Sequence, residues 1–212
     1  MSLPSLAIRL TGASPLICHN GQTADPQNCY AKAMKAISGK RKKVDSDYEE
    51  LAWLEWQAGL YRYGNDLVIP DYVLESVFNN GAKKSRRGPQ AKAGLFCTEH
   101  ASLEFEGKPD VIDDDSLRAM YESGDFKLVA GVKVSMSKVM RTRPIFRKWS
   151  CKATVQFDPD VLNLRDIDEI VRDAGRLVGV GDWRPKHGRF DAVVAPVGIP
   201  ESLAAELIAI AG

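Results

Sequence analysis

The segment from Asp166 to Pro196 constrains the fold more than any other part of the chain. A helical pattern runs from Asp166 to Leu177, and a strand pattern runs from Phe190 to Pro196. The loop between them contains residues that allow a positive φ and a close approach of the backbone, namely Gly179, Gly181 and Gly188. This pattern predicts a helix that returns to a strand through a tight loop.

The same loop is rich in positive charge. Arg184, Lys186 and Arg189 lie among the glycines, and Trp183 adds an aromatic ring. Main-chain amides that glycine leaves accessible form an anion site when cations surround them, whereas a glycine pair alone is typical of a tight connection. The cations and the ring favour a single-stranded phosphate backbone as ligand. Trp183 has two interpretations, a core or lid residue or a platform for a stacked base.

The 212-residue chain has a formal net charge of only +1, but its charges are segregated along the sequence. Segments 26–44, 76–98 and 126–157 contain six, five and eight Lys or Arg residues and no Asp or Glu. Segregation of this kind can build one strongly positive face although the total charge cancels. A single block such as Lys40 to Lys43 is typical of a solvated surface. Three blocks and a basic loop together predict a nucleic-acid site.

Two of these basic segments are predicted to be insertion loops, near residues 38–44 and 81–92. In the second, Asn79-Asn80-Gly81 is expected to end a helix, and the residues after it are expected to form a flexible clamp on the ligand. The cations of this predicted clamp are Lys83, Lys84, Arg86 and Arg87. The third basic segment is expected to extend the phosphate track across a hairpin, through Lys133, Arg141 and Arg143.

Periodicity in the rest of the chain predicts an α+β fold. Strands are predicted at Leu6 to Leu10, Asp66 to Pro70, Ala93 to Thr98 and Ala101 to Phe105, and helices at Tyr30 to Ile37, Tyr48 to Leu60 and Asp71 to Asn80. Alternating runs at Lys127 to Met140 and Arg147 to Phe157 predict a hairpin connected through Arg141-Thr142-Arg143-Pro144. The series predicts one domain over residues 1–212, with a ferredoxin-like antiparallel sheet that carries helical and loop insertions.

Several classes of protein do not fit the sequence. No apolar run reaches the length of a membrane span, and Met1 to Leu10 lacks the features of a secretory signal, which predicts a soluble, cytoplasmic protein. The four cysteines are scattered without a Cys-x-x-Cys pair, at Cys18, Cys29, Cys97 and Cys151. Neither a zinc site nor a disulfide framework is therefore indicated. We expect no metal and no cofactor.

Binding is predicted in preference to catalysis. His19, His100 and His187 have no metal-ligand spacing, and no Ser-His-Asp order, phosphate-binding loop or HExxH motif is present. Acid-base chemistry needs a second positioned group besides a histidine. The sequence pattern does not identify such a group.

Four motifs, in order along the chain, resemble the RAMP superfamily. They are Thr11-Gly12-Ala13-Ser14-Pro15-Leu16-Ile17, the turn His19-Asn20-Gly21, Val68-Ile69-Pro70-Asp71-Tyr72-Val73-Leu74, and the loop from Gly179 to Phe190. This superfamily includes the crRNA-binding backbone subunits and the repeat-RNA processing endonucleases of CRISPR systems. The resemblance implies an RRM-related, ferredoxin-like core and assembly as filaments along RNA. The chain departs from the pattern because it is shorter than typical backbone subunits and has Trp183 and Pro185 where smaller residues are usual.

The resemblance also implies two candidate catalytic residues. His19 matches the loop histidine that serves as general base in the metal-free processing endonucleases. Asp25 lies in the first loop, where some backbone subunits place a target-cleaving aspartate. Two further signatures, Met140-Arg141-Thr142-Arg143-Pro144 and Gly181-Asp182-Trp183-Arg184-Pro185, are similar to bacteriophage proteins, which implies a bacterial host cell.

The function expected from these observations is binding of single-stranded nucleic acid, with RNA the preferred form and single-stranded DNA the alternative. Segregated acidic and basic blocks also predict head-to-tail oligomers along the strand. Two other functions stay open at this point. One is a phage interaction protein that mimics or joins the backbone of a CRISPR effector and inhibits it; the other is a metal-free RNA endonuclease.

Overall fold

The computed structural model describes residues 3–134 and 137–198, and this part of the chain contains ten strands and six α-helices. The strands are β1 (Ser5–Gly12), β2 (Leu16–Ile17), β3 (Arg62–Tyr63), β4 (Asp66–Ile69), β5 (Leu95–Cys97), β6 (Ala101–Phe105), β7 (Lys127–Val134), β8 (Ser137–Phe146), β9 (Trp149–Phe157) and β10 (Phe190–Pro196). The helices are α1 (Cys29–Ser38), α2 (Asp45–Gly59), α3 (Asp71–Lys84), α4 (Gly88–Gly94), α5 (Asp114–Ser123) and α6 (Leu164–Asp173). The predicted α+β class with antiparallel sheets is confirmed.

The larger sheet has the strand order β10-β1-β9-β6-β4-β3, and β5 pairs with β9. Its strand pairs are antiparallel. On β1, Leu6, Ile8 and Leu10 are buried while the residues between them are more exposed. Because side chains alternate between the two faces of a strand, this pattern gives the sheet one apolar face.

Helices α3 and α6 pack against each other over the apolar face of the sheet. Asn163 caps the start of helix α6, and its side chain accepts a hydrogen bond from the Asp166 amide. A side chain at Gly81 of α3 would bring a Cβ to 2.6 Å from the Cβ of Ala174. Glycine at this position therefore permits the close approach of α3 to the end of α6.

A smaller sheet has the order β2-β8-β7, and α2 packs against β8. Trp56 of α2 is fully buried, and its Nε1 donates a hydrogen bond to the carbonyl of Phe126, 2.8 Å away. The ring of Trp53 stacks on Trp56 with a centroid distance of 5.6 Å. These contacts fix α2 beside the strand pair that carries Arg141 and Arg143.

The predicted hairpin between the two alternating runs is wrong. Residues Arg141 to Pro144 lie inside β8, which pairs with β7, while β9 pairs with β1. The inward side chains of β9 are all buried, so this strand takes a central place in the larger sheet. Residues 135 and 136 of the predicted first strand lie outside the described residues, as do residues 199–212 of the predicted domain.

The predicted flexible loop at residues 81–92 is also wrong. Helix α3 continues to Lys84, and only three residues separate it from α4, which begins at Gly88. The Arg87 amide donates a hydrogen bond to the Ala82 carbonyl at 2.7 Å, which closes the turn between the helices. By contrast, residues 39–44 do connect α1 to α2 without regular structure.

No helix in the described ranges is both long enough and apolar enough to cross a lipid bilayer.

Candidate nucleic-acid interface

The loop between α6 and β10 is held together by its own main chain. The Gly179 amide donates to the Ala174 carbonyl, the Val180 amide to the Gly188 carbonyl and the Gly188 amide to the Pro15 carbonyl, each at 2.8 Å. The expectation that these glycine amides bind phosphate is therefore wrong for Gly179 and Gly188, because both donors are already used inside the protein.

The glycines instead permit close packing of the loop. At Gly188, with φ of +72°, a Cβ would overlap the Val180 carbonyl, and at Gly181, with φ of +84°, it would overlap the Ile17 carbonyl. The neighbouring Asp182 amide donates to that same Ile17 carbonyl at 2.8 Å. The backbone of the loop therefore forms the tight connection that a glycine pair predicts, and the amides of Gly179 and Gly188 are not available to a ligand.

Trp183 projects from this rigid loop between two grooves. It has a φ of +54°, uncommon for a residue with a side chain, and its amide donates to Asp182 Oδ1 at 3.0 Å. Its ring is only partly buried, and the residue lines cavities on both sides of the loop. Trp183 is therefore not a core residue, and its ring is accessible to a ligand.

The first cavity, the lysine groove, lies between α3 and the loop and has a volume of about 550 Å³. Lys83 and Lys84 come from the last turn of α3, and Arg184 comes from the loop about one hundred residues later. Among the described residues, none of these three cations forms an ion pair; Lys83 Nζ donates to the neutral Asn80 side chain at 3.0 Å. Trp183 and Pro185 supply an apolar wall.

The second cavity, the arginine groove, lies on the other side of Trp183 and has a volume of about 400 Å³. Lys133, Arg141 and Arg143 line it, as predicted for a shared track, but Glu55 of α2 lies among them. Both arginines place Nη1 3.1 Å from Glu55 Oε1. The Thr142 amide donates to Glu55 Oε2 at 2.9 Å.

Asp182 adds a second carboxylate to the arginine groove. Its Oδ2 lies 3.6 Å from Arg143 Nε and 3.5 Å from His19 Nδ1. Burial lowers the pKa of His19, and the positive charge of Arg143 lowers it further, while Asp182 acts in the opposite direction. The histidine is therefore neutral near pH 7, and two carboxylates offset most of the positive charge around it.

Four of the predicted phosphate-binding cations lie outside both grooves. Arg87 pairs with Asp166 and Glu169 of α6, each at 2.8 Å. Arg86 lies exposed in the turn after α3 with a φ of +61°. Arg189 lines a separate cavity beside α6, and Lys186 is exposed. The structure thus places the predicted phosphate-binding cations at several separate sites and not in one continuous track.

Asp25 is not positioned for catalysis. Its side chain is exposed, and its Oδ1 accepts a hydrogen bond from the Gln27 amide at 2.8 Å. It does not line either groove. The loop aspartate therefore stabilises a turn, whereas His19 does lie in the arginine groove.

Sequence reasoning missed four residues around the loop: Glu55, Tyr61, Tyr72 and Asp182. Tyr72 and Asp182 lie inside the motifs that carry the family resemblance, but the sequence does not show which distant residues lie beside them. Glu55 resembles an ordinary helix-surface acid in sequence. Its role depends on the packing of α2 against β8.

No protein-family model matches the chain, and no curated protein matches it significantly.

Proposed function

We propose that this protein binds single-stranded nucleic acid, with RNA the preferred form, along the lysine groove. One observation carries the proposal: Lys83 and Lys84 meet Arg184 beside the accessible ring of Trp183, with no ion pair to any described carboxylate. Cations that follow a phosphate backbone, combined with an aromatic ring for a base, are the features that single-strand binding requires.

The charge balance favours the lysine groove over the arginine groove as the phosphate site. A phosphate in the arginine groove must compete with Glu55 and Asp182, whose oxygens already accept from the guanidinium groups. Asp182 also lines the lysine groove, but among the described residues it forms no ion pair with Lys83, Lys84 or Arg184. A phosphate there gains charge-assisted hydrogen bonds without displacing a carboxylate.

At the level of the fold, we propose a ferredoxin-like, RAMP-related core. In chain order, β1, α3, β6, β9, α6 and β10 follow a β-α-β-β-α-β series. The four strands lie side by side in the order β10-β1-β9-β6, and both helices cover one face. The smaller sheet, α1, α2 and α5 are insertions into this series.

Fluorescence anisotropy with labelled oligouridine, titrated at several salt concentrations, tests the proposed function. Three phosphate contacts predict a log-log slope of affinity against salt of about −2, because each contact on a single strand contributes about −0.7. Arg184→Ala should make the slope shallower by about 0.7. Arg141→Ala should leave it unchanged, because Glu55 already offsets that charge.

A flat salt response, or no binding at low salt, would contradict the proposal. A monomer that does not bind oligonucleotides but does bind an assembled CRISPR effector would favour the alternative of a phage interaction protein. Light scattering with oligonucleotides of increasing length tests head-to-tail assembly: stepwise growth in mass supports it, and one protein per strand at every length opposes it.

Metal-free RNA cleavage is a second candidate function because His19 Nδ1 faces the Asp182 carboxylate at 3.5 Å. A neutral histidine oriented by a carboxylate is suited to general-base catalysis. Labelled RNA incubated with the protein and a chelator should then be cut, and His19→Ala should abolish the products. Intact RNA under all conditions would leave binding as the only activity.

A further inference from the structure

A third cavity, of about 310 Å³, adjoins both grooves, and we call it the tyrosine chamber. Tyr61 and Tyr72 lie in its walls together with His19 and Arg184. Arg184 also lines the lysine groove, and His19 also lines the arginine groove. A strand held in the lysine groove therefore passes the opening of this chamber.

Tyr72 is unusually exposed for an aromatic residue. It lies in the first turn of α3, and 62% of its surface is accessible. In the described part of the chain its ring stacks on no other aromatic ring and its hydroxyl forms no hydrogen bond. When an exposed aromatic ring lies beside a cation, a nucleobase can stack on the ring while the phosphate of the same nucleotide contacts the cation.

Tyr61 forms a fixed wall of the same chamber. Its ring is partly buried against the core, and its hydroxyl donates to the His19 carbonyl at 3.1 Å. Burial raises the pKa of Tyr61 to about 12, so the hydroxyl keeps its proton and this hydrogen bond at neutral pH. The chamber is therefore preformed on one side and accessible at Tyr72 on the other.

The volume of the chamber is at the small end of the range for small-molecule sites. It suits one planar group better than an intact duplex, whose bases are stacked and paired. A base enters such a site only when it is unstacked from its neighbours. A cavity of this size would therefore admit a base of a single strand but not a base pair of an intact duplex.

We propose that the tyrosine chamber holds one unstacked base of a single strand, stacked on Tyr72, while the adjacent phosphate contacts Arg184. This inference rests on the proposed function, because it requires a strand in the lysine groove. It adds a contact to bases, which the cations of the groove do not supply.

The experiment compares Tyr72→Ala with wild type on two ligands of equal length, an oligouridine and a fully abasic oligonucleotide, at one salt concentration. Loss of one base–aromatic stack should weaken oligouridine binding by about fivefold to about 150-fold. Binding of the abasic ligand should be the same for both proteins, because Tyr72 contacts no phosphate in this arrangement. Tyr72→Phe keeps the ring and should retain wild-type affinity for oligouridine.

Tyr48→Ala is the matched control, because Tyr48 is 59% exposed and lines none of the three cavities. It should bind oligouridine as wild type does. If Tyr72→Ala lowers the affinity for both ligands equally, or for neither, the proposal that a base binds in the tyrosine chamber is wrong. The proposed phosphate binding in the lysine groove would be unaffected by that result. Failure of wild type to bind either ligand at low salt would instead overturn the proposed function itself.

Discussion

The two grooves beside Trp183 contain similar numbers of cations but differ in what surrounds those cations. In the lysine groove, Lys83, Lys84 and Arg184 have no carboxylate partner among the described residues. In the arginine groove, Glu55 contacts two arginines at 3.1 Å, and Asp182 lies near one of them. Asp182 lines both grooves, so the difference lies in ion pairing: a basic sequence block leaves cations available to an anion only where the fold gives them no carboxylate partner.

The two sets of cations also have different effects on stability. Side chains of Glu55 and Arg143 are only 16% and 12% exposed, so their interaction is poorly screened by solvent. Removing either partner would leave a charge in a partly dehydrated place. The cations of the lysine groove are exposed, and their removal should cost little stability. We therefore expect substitutions in the arginine groove to affect mainly fold stability, and substitutions in the lysine groove to affect mainly the proposed ligand binding.

The largest expected effect is on binding, from reversing two charges of the lysine groove. Lys84→Glu combined with Arg184→Glu should weaken binding of single strands by roughly 100-fold at low salt, because charge-assisted contacts are lost and repulsion replaces them. The melting temperature should stay unchanged. Anisotropy and thermal denaturation measure the two quantities on the same preparation.

Arg41→Glu combined with Lys42→Glu is the control for that double variant. It changes the net charge equally, but these exposed residues lie in the connection between α1 and α2 and line neither groove. Affinity should fall only slightly. An equal loss in both double variants would mean that net charge, and not the lysine groove, governs binding.

A smaller effect, with the opposite sign for binding, is expected at Glu55. Glu55→Gln keeps the shape of the side chain but removes the charge that holds Arg141 and Arg143, and should lower the free energy of unfolding by about 1–2 kcal/mol. The released guanidinium groups should strengthen binding by about threefold, since they become available to phosphate. Urea denaturation and anisotropy test both parts.

Glu50→Gln, at an exposed position of the same helix, should change neither stability nor affinity. Weaker binding by Glu55→Gln, with the protein still folded, would show that the arginine groove already binds the strand in the wild type. The contrast between the grooves would then be wrong.

The smallest expected effect is the pH dependence contributed by His19. Its pKa is lower in the folded protein than in the unfolded chain, first because of burial and then because of Arg143. The unfolded state therefore binds a proton that the folded state does not, and stability falls as pH decreases below about 6.5. The half-exposed ring limits this contribution to less than about 1 kcal/mol.

His19→Gln should accordingly narrow the difference in melting temperature between about pH 7 and about pH 5.5. Asp47, Asp66 and Asp113 also have lowered pKa values, but their contribution to stability is lost at pH values below their ordinary 3.8. The pH range in which His19 affects stability is therefore distinct from the range in which these aspartates do. An unchanged pH dependence in His19→Gln would show that Asp182 offsets the effect of burial and of Arg143.

Local patterns in the sequence predicted several elements well. Alternation located β9 within two residues, and the Pro70-Asp71 junction located the start of α3. Prediction failed at the end of that helix, because Asn79-Asn80-Gly81 is a typical terminator. Gly81 instead faces Ala174 of the neighbouring segment, and packing of the two helices continues α3 by one more turn to Lys84. That extra turn places Lys83 and Lys84 in the lysine groove.

The candidate site was predicted only as a set of residue types. Segregated charge and the Trp183-Arg184 pair pointed to the loop after α6, and the structure places Lys83 and Lys84 in one cavity with it. Arg87 was misassigned because its partners, Asp166 and Glu169, lie about eighty residues away in the sequence. No local pattern carries information about an ion pair between elements so distant along the chain.

The sequence by itself determined the segregation of charge and the positions of elements such as β9 and the start of α3, because these depend on neighbours within a few residues. Tertiary structure decided which strand pairs with which, and so moved β9 beside β1. It also decided which cations meet a carboxylate, as Arg143 does, and which, like Arg184, have no carboxylate partner within residues 3–134 and 137–198. The physical reason is that pairing and electrostatic compensation act through space, over distances that the order of residues along the chain does not encode.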